Sequence, residues 1–414
     1  MKNLFLIACV LMALPGLCRT LVVGKGQTYS TIREAVAAAQ DRDTILVKKG
    51  TYYINNIVII KSIYLIGENY PLLHGADKYE IFTVSGKDIT IKGFHFTNSG
   101  YSAMNDFASV KIIDASNIIF ENNRVTNAYF GVHIANSHHF TIRSNYFNGL
   151  TKSEQTTGNG IHLWKCNNAL IENNEIHGHR DGIYFEFVTQ SLIQKNFSEG
   201  NIRYGLHFMF SNDNWYVENT FKNNGAGVAV MYSKQVHMLL NHFDSNWGAA
   251  AYGLLLKEIN DSKIDSNTFY QNTVGIYMEG TNRINVTNNV FKANGWAAKV
   301  QASCMDNTFF HNNFLSNTFD VGTNGTLVLN TFNNNYWDKY EGYDLNKDGF
   351  GDVAYHPVSM YSTIVENSPN TLMLLRSFMV SLLDKAERAI PSLTPENLRD
   401  DQPLMKGLKL KEKK

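Results

Sequence analysis

Apolar and polar residues alternate in short segments along the chain, and these segments recur at a nearly constant spacing. The segments open on Gly131, Gly160, Gly182, Gly205, Gly227, Gly253 and Gly275. The first and third residues after each glycine are apolar, so these side chains point to one side of a strand. A second series ends the following segment on asparagine, at Asn123, Asn145, Asn174, Asn196, Asn219, Asn241, Asn267 and Asn289. Two markers that repeat in phase indicate a repeat architecture.

A stack of such segments explains both markers. One segment cannot bury its apolar face alone, whereas stacked segments bury a continuous apolar column. The pattern predicts an all-β protein, a single-stranded parallel β-helix of coils of about 22 residues, over residues 19–356. Asparagine at the corners tolerates left-handed backbone angles and forms hydrogen-bonded ladders. No proline lies between Pro71 and Pro357, which agrees because proline cannot donate the N–H of an interior strand.

The two ends depart from this pattern. Residues 1–18 combine Lys2 with a short apolar run, which predicts a secretory signal peptide and an exported protein. Residues 31–40 predict a short helix that caps the stack. In the C-terminal extension, residues 357–414, apolar residues recur at helical spacing over 371–389 and predict an amphipathic helix. Its apolar run is too short to span a bilayer. We interpret it as a docking element, with attachment to a membrane surface or packing over the open end of the stack as alternatives.

Charge and cysteine content narrow the function classes. The chain of 414 residues has a formal net charge of zero, so overall charge gives no support for nucleic-acid binding. Beyond residue 18 the only cysteines are Cys166 and Cys304. In the predicted stack they lie roughly 29 Å apart, because each coil adds about 4.8 Å. A disulfide needs Cα atoms within about 7 Å, so we expect no bridge.

Two columns of side chains are predicted to point outward from one sheet. The residues two positions after each glycine form the histidine column, which is His133, His162, Tyr184, His207, Ala229, Leu255 and Tyr277. The residues four positions after each glycine form the methionine column, which is Ala135, Trp164, Glu186, Met209, Met231, Lys257 and Glu279. The strand periodicity places both columns on the solvent side of the sheet.

Thioether and imidazole groups on neighbouring rungs offer the soft ligands that suit Cu(I). Rungs about 4.8 Å apart bring such donors close enough to share an ion. The copper candidates are His162, Glu186, His207, Met209 and Met231. Two other interpretations remain open: an apolar patch for a protein partner, and a sugar-binding surface.

A second metal candidate lies near the end of the stack. In DLNKDGFGD, Asp344, Asn346, Asp348, Phe350 and Asp352 stand at positions one, three, five, seven and nine of a calcium loop. Gly349 stands at the sharp turn, but Tyr355 replaces the glutamate of position twelve. Either a neighbouring carboxylate such as Asp338 or Glu341 completes a Ca²⁺ site, or the loop is a polar turn without metal.

The main alternative to a binding protein is a polysaccharide-acting enzyme, a lyase, an epimerase or a hydrolase on the same fold. Such enzymes need carboxylates grouped on one face. The two columns carry only Glu186 and Glu279, roughly 19 Å apart at about 4.8 Å per coil. The sequence therefore favours a protein that is not an enzyme, although the fold alone does not decide this.

Several segments together resemble the NosD family. They are GLHFMFSNDN from Gly205, GVAVMYS from Gly227, NNYWDKYEGYDLNKDGFGDVAYHPV from Asn334, and the tail PSLTPENLRDDQPLMK. The similarity begins at TLVVGKGQTY, from Thr20, and covers nearly the whole chain after residue 18.

The resemblance implies a non-catalytic periplasmic accessory protein for the maturation of nitrous oxide reductase. It implies work with the membrane and ATPase subunits of an ABC transporter, exchange with a copper chaperone, and delivery of copper, or of sulfur, for the copper–sulfide centre. Attachment to the membrane is then peripheral, through the partner, with residues 371–389 docking against the membrane subunit. The resemblance makes copper the favoured interpretation of the two columns.

Overall fold

The computed structural model describes residues 18–101, 106–150, 153–325, 329–389 and 398–409. The chain winds through short strands that build three parallel sheets around one apolar core. The predicted parallel β-helix is confirmed. The predicted signal peptide lies almost wholly outside the described residues.

The first sheet contains 14 strands among the described residues, and the β-helix begins with a strand of this sheet. Its strands are Thr20–Val23, Thr44–Val47, Tyr64–Gly67, Lys87–Lys92, Ser116–Glu121, His138–Arg143, Asn167–Glu172, Leu192–Gln194, Trp215–Val217, His237–Leu239, Lys263–Asp265, Asn285–Thr287, Met305–Phe310 and Leu329–Asn333.

The second sheet contains 12 strands and carries the histidine and methionine columns. Its strands are Ile57–Ile59, Phe82–Val84, Ala108–Ile113, Phe130–Ala135, Ile161–Trp164, Asp181–Glu186, Tyr204–Met209, Ala226–Met231, Tyr252–Lys257, Val274–Glu279, Trp296–Val300 and Phe319–Gly322.

The third sheet contains 13 strands. They are Thr51–Tyr53, Leu72–His74, His95–Thr97, Arg124–Thr126, Tyr146–Asn148, Glu175–His177, Phe197–Glu199, Thr220–Lys222, His242–Asp244, Thr268–Tyr270, Val290–Lys292, Asn313–Leu315 and Tyr336–Trp337.

The repeated glycines are explained by the close approach of successive coils. A Cβ atom on Gly160 would lie 2.6 Å from the carbonyl oxygen of Gly182, and one on Gly205 would lie 2.6 Å from that of Gly227. No side chain fits at such a distance, so glycine is the residue that lets consecutive strands of the second sheet start in register.

Buried asparagines form a ladder along most of the stack, from Asn123 to Asn335. Asn196 donates from its backbone N and its side-chain Nδ2 to Oδ1 of Asn219, at 2.9 and 3.0 Å, and the pattern repeats on the next coil. The ladder continues past the predicted series through Asn312 to Asn335. A second ladder, which the sequence analysis missed, comprises Asn201, Asn224, Asn246, Asn272, Asn294 and Asn317.

The expectation that these asparagines adopt left-handed backbone angles was wrong. The left-handed residue is the one before each ladder position, including Lys195 with φ 54°, Glu218 with φ 57° and Leu240 with φ 56°. The ladder position requires an amide side chain that both donates and accepts, so it selects asparagine for hydrogen bonding and not for its backbone angles.

Helices lie at both ends of the stack. Helix α1, Ile32–Ala38, opens on a capping box of Thr31 and Glu34 and confirms the predicted capping helix. At the other end lie α2, Met360–Asn367, a 3₁₀ helix, Pro369–Leu374, and α3, Phe378–Ala389. The helix predicted over 371–389 is therefore broken, because Arg376 adopts a left-handed φ of 67°, and α2 was not predicted.

The C-terminal helices pack against the outer side of the second sheet. Tyr361 and Val365 of α2 and Val380 of α3 share a buried cluster with Trp296 and Phe319. Lys299 and Glu366 join the sheet to α2 through a 2.7 Å ion pair. Among the described residues, no helix is both long enough and apolar enough to cross a membrane.

The last described residues return to the stack and cover its open end. Asp400, which is fully buried, accepts hydrogen bonds from the backbone N atoms of Asn334 and Asn335 at 3.0 and 2.9 Å. It also accepts from Asn335 Nδ2 and Trp337 Nε1, each at 3.1 Å. A carboxylate thus terminates the asparagine ladder. The division of the chain at residue 356 stays a prediction.

Candidate metal-binding face

The structure aligns both columns as the sequence predicts. In the histidine column, His133 pairs with His162, His162 with Tyr184, and Tyr184 with His207 on successive rungs. In the methionine column, Glu186 pairs with Met209 and Met209 with Met231. The repeat spacing was therefore sufficient to place these side chains on neighbouring strands.

The expectation that the histidine column faces solvent was wrong for His133, His207 and Ala229, which are buried. Rings on neighbouring rungs cover one another: the centroids of His133 and His162 lie 4.8 Å apart, and those of Tyr184 and His207 lie 5.0 Å apart. Both contacts are edge-to-face, one of the preferred arrangements of neighbouring aromatic rings, and they shield part of the outer side of the sheet from solvent.

His162 and His207 are not brought together. Tyr184 stands between them, with its ring 4.7 Å from that of His162 and 5.0 Å from that of His207. The Nδ1 atom of His162 forms a 3.0 Å hydrogen bond with Asn159 Nδ2. His162 therefore belongs to the row of packed rings and is separated from His207 by Tyr184.

His207, Met209 and Met231 lie on two neighbouring strands of the second sheet. His207 and Met209 lie two residues apart on strand Tyr204–Met209, so both point to the outer side of the sheet. Met231 lies on the next rung beside Met209, at about the 4.8 Å separation of neighbouring strands. Glu186 borders Met209 on the other side, where it accepts a 3.2 Å hydrogen bond from the Tyr184 hydroxyl.

The imidazole of His207 is free to take a ligand. Its side chain is buried, yet within the described chain neither ring nitrogen has a hydrogen-bond partner. Its nearest ionic neighbour is Asp181, whose Oδ2 lies 3.7 Å from Nδ1. A buried polar group without a partner costs free energy, and a metal ion bound by His207 would supply that partner.

An aromatic ladder borders the methionine column. Phe187, Phe210 and Tyr232 each follow one residue of that column, and all three are exposed. Their rings stack at 5.3 and 5.1 Å. All three residues have left-handed backbone angles, with φ from 49° to 54°, which costs about 1–2 kcal/mol for a residue with a bulky side chain. These three residues are not among the candidates predicted from the sequence.

The residues around His207 fit a soft metal ion better than a hard one. In the described ranges, no three His, Cys, Asp or Glu side chains are grouped so as to hold a metal. The thioethers of Met209 and Met231 are donors of the kind that suits Cu(I).

The Asp344–Asp352 loop is closed by its own hydrogen bonds. Asp344 accepts from the backbone N atoms of Asp348 and Gly349 at 3.2 and 2.9 Å, and Asp348 accepts from that of Phe350 at 2.9 Å. Asp352 accepts from Leu345 N at 2.7 Å. Tyr355, at position twelve, directs its hydroxyl to Asp320 and not to the loop. Binding of Ca²⁺ here stays a prediction.

Calcium is expected to raise the thermal midpoint of unfolding if the loop completes its shell with water or Glu341. The measurement compares the midpoint in excess Ca²⁺ and in excess chelator, with the Asp348→Ala variant as the matched control that lacks position five. Equal midpoints for the wild type in the two conditions would identify the loop as a polar turn.

The buried histidines predict a loss of stability in acid. Burial lowers the pKa of His133 and of His179 to about 4, and that of His162 well below its ordinary 6.5. As the pH falls from about 6.5 towards 4, these histidines are protonated in the unfolded chain but stay neutral in the folded chain. The free energy of unfolding that is present above pH 6.5 is therefore lost across that window.

The measurement is the urea midpoint at pH 7.5 and at pH 4.5. Asparagine suits position 179, whose backbone N donates to Asn201 of the second ladder, and its side chain does not titrate. The His179→Asn variant should therefore lose less stability in acid than the wild type. His138→Asn is the exposed control. An equal acid loss in all three proteins would contradict this origin of the effect.

Two family models match the chain over long ranges. Residues 23–229, half of the chain, match the family described as rhamnogalacturonase A/epimerase, pectate lyase-like. Residues 148–343 match the family described as periplasmic copper-binding protein (NosD), and this range includes His207, Met209 and Met231. This match covers just under half of the chain and supports the NosD family for it. The match of residues 23–229 to the pectate lyase-like family agrees with the parallel β-helix that these residues form.

A curated relative supports the NosD assignment over a short segment. The probable ABC transporter binding protein NosD of Pseudomonas aeruginosa is 39% identical over 72 residues. These residues are 17% of this chain and 17% of that protein, so the match covers less than a fifth of the relative.

Solved structures share the fold at low sequence identity. The catalytic unit of an α-1,3-glucanase from Streptomyces thermodiastaticus aligns with a TM-score of 0.57 at 13% identity, over 74% of this chain and 64% of that one. PfbA, a surface adhesin of Streptococcus pneumoniae, aligns with a TM-score of 0.56 at 12% identity, over 74% of this chain and 89% of that one. One neighbour is an enzyme and the other an adhesin, so this likeness concerns the fold alone.

Proposed function

We propose that this chain is a non-catalytic periplasmic protein that carries Cu(I) on its second sheet. It works with an ABC transporter to supply copper for the maturation of nitrous oxide reductase. The observation that carries the proposal is the unpartnered imidazole of His207 beside Met209 and Met231. The NosD family description, a periplasmic copper-binding protein, supports it.

The position of the three side chains suits a cargo that must be released. Met209 and Met231 are partly exposed, whereas His207 is buried. A neutral thioether is a soft ligand for Cu(I). An incoming partner can reach the ion from the methionine side, while the imidazole holds it from the protein side.

Sulfur delivery has less support from this surface. A sulfide-like cargo is anionic and calls for unpaired positive charge. The only cation of the methionine column is Lys257, which pairs with Glu279 at 3.3 Å. Copper is therefore the cargo that this surface favours.

An enzymatic role has less support because the partly exposed carboxylates of the second sheet lie far apart. Glu186 and Glu279 lie four rungs apart on the second sheet, roughly 19 Å at about 4.8 Å per rung. A glycosidase pair needs carboxylates within about 5–9.5 Å. Asp181, the other acid of strand Asp181–Glu186, is buried.

The experiment that tests the proposal is an anaerobic Cu(I) titration of the protein without residues 1–18, in competition with a chromogenic Cu(I) chelator. We expect one equivalent of Cu(I) to be withdrawn from the chelator. No withdrawal of copper by the wild-type protein would contradict the proposed function.

The C-terminal helices offer the docking surface for the transporter. Their inner residues pack on the second sheet, but their outer residues form an apolar patch of Leu372, Met373, Phe378, Met379 and Leu382. Met373 is 90% exposed and Phe378 is 78% exposed. An apolar patch of this kind marks a protein interface. We propose that it contacts the membrane subunit of the ABC transporter.

Replacing Phe378 and Met379 by glutamate is expected to abolish co-purification with the membrane and ATPase subunits, because two charges cannot be buried in an apolar interface. The substitutions are preferable to truncation at residue 371, which would remove Asp400 and open the stack. Ser381→Glu, on an exposed position of the same helix, is the control. Retention of both subunits by the double variant would exclude this patch as the docking surface.

The aromatic ladder suits contact with a copper chaperone. Phe187, Phe210 and Tyr232 form an exposed strip parallel to Glu186, Met209 and Met231. A chaperone that covers this strip would bring its metal to the methionine side of the group. The aromatic rings would supply the apolar contact around the transferred ion.

A further inference from the structure

Asp181 is an unexpected residue on the second sheet. It is the first residue of strand Asp181–Glu186, and its side chain is fully buried. Within the described chain, neither carboxylate oxygen accepts a hydrogen bond. Such a group is costly to keep in the folded state.

The coil architecture does not require an acid at this position. The residues that occupy the same place on the next two rungs are Tyr204 and Ala226. The acid therefore occurs on the rung that adjoins His207, and on neither of the two rungs that follow.

Ionic groups surround Asp181 just beyond hydrogen-bond distance. His207 Nδ1 lies 3.7 Å from Oδ2, and the Nε atoms of Arg180 and Arg203 lie 4.0 Å from Oδ2 and Oδ1. Arg203 is itself held by Glu154 at 3.5 Å and by the ring of Tyr204 at 4.9 Å. The two arginines balance the charge of the carboxylate without contacting His207 through a hydrogen bond.

The ring of His207 is confined on both sides. Its centroid lies 4.7 Å from that of Tyr204 and 5.0 Å from that of Tyr184. Packing between two aromatic rings restricts the imidazole to small rotations. A rotation that shortens the contact from Nδ1 to Asp181 is the one that satisfies both buried groups.

From this geometry we infer that Asp181 is a positioning residue for His207. Its carboxylate favours the tautomer in which Nδ1 carries the proton, which leaves the lone pair on Nε2 for the metal. A histidine ligand generally donates its second ring N–H to a carboxylate or carbonyl, which fixes the ring and raises its basicity. The inference rests on the proposed copper function and adds the group that prepares His207 for it.

The first test is a long-range ¹H–¹⁵N correlation spectrum of the metal-free protein at neutral pH, labelled at the histidine ring nitrogens. The signals of His207 are assigned by their loss in His207→Gln. We expect Nδ1 to be protonated in the wild type, and Asp181→Asn to redistribute the proton between the two nitrogens. A wild-type ring protonated at Nε2 would overturn the inference, and this measurement does not depend on the folding of any variant at Asp181.

The second test is Cu(I) affinity by chelator competition. Asp181→Asn should weaken binding about ten- to a hundredfold, the usual effect of losing a group that supports a metal ligand. Glu154→Gln, which removes the partner of Arg203 but not the carboxylate beside His207, should leave the affinity and the tautomer unchanged. Equal affinity of Asp181→Asn and wild type overturns the inference. Failure of the wild type to bind Cu(I) overturns the proposed function instead, so the two failures are distinguishable.

Discussion

Replacing Met209 and Met231 by leucine is expected to lower the affinity for Cu(I) on the order of a thousandfold, about 4 kcal/mol. The two thioethers are the donors that distinguish this face from the remainder of the second sheet, and leucine keeps their volume without a lone pair. His207 remains in place, so the variant retains one nitrogen donor. Adding His207→Gln should remove the residual binding.

The control for this result is a methionine outside the group. Met373→Leu changes a methionine that is 90% exposed on the 3₁₀ helix, so it tests whether any accessible thioether suffices. Met278→Leu changes a buried methionine of the core. Both should bind Cu(I) as the wild type does. A double Met209/Met231 variant of unchanged affinity would remove this face as the copper site.

Replacing Asp400 by alanine is expected to cost about 3 kcal/mol of unfolding free energy, because buried donors lose a charged acceptor. Asn335 and Trp337, both fully or almost fully buried, would keep N–H groups without a partner. Asp400→Asn keeps one acceptor oxygen and should cost less. The measurement is a urea titration that follows tryptophan fluorescence.

The matched control is Asp401→Ala. Asp401 pairs with Arg399 at 2.9 Å, but both side chains are more than half exposed, at 62% and 61%, and an exposed pair contributes little. A loss of stability in Asp401→Ala equal to that in Asp400→Ala would show that the ladder terminus is not the cause.

The strand register was predictable because it depends on local patterns. The opening glycines permit close approach of successive coils, and the apolar residues at alternate positions set which side chains point inward. The glycine positions and the apolar alternation together fix the register. The pairing of Glu186 with Met209 and of Met209 with Met231 then follows from counting residues after each opening glycine. The first asparagine ladder was visible for the same reason.

The features that the sequence did not show depend on contacts between distant segments. Asp400 meets Asn335 across 65 residues, and nothing near Asp400 indicates a buried carboxylate. The burial of His207 was missed for another reason: the strand period gives the side of the sheet, but not how far the neighbouring rings of Tyr184 and Tyr204 cover it. Asp181 adjoins a turn-like sequence, so its composition suggests exposure, whereas packing against the next rung buries it.

The central claim is that Met209, Met231 and His207 together hold Cu(I). X-ray absorption spectroscopy of the protein loaded with one equivalent of Cu(I) tests it most directly, because it counts sulfur and nitrogen neighbours of the metal. We predict two sulfur scatterers and one imidazole nitrogen in the wild type, and no sulfur in the double leucine variant. A copper environment of nitrogen and oxygen alone in the wild type would contradict it.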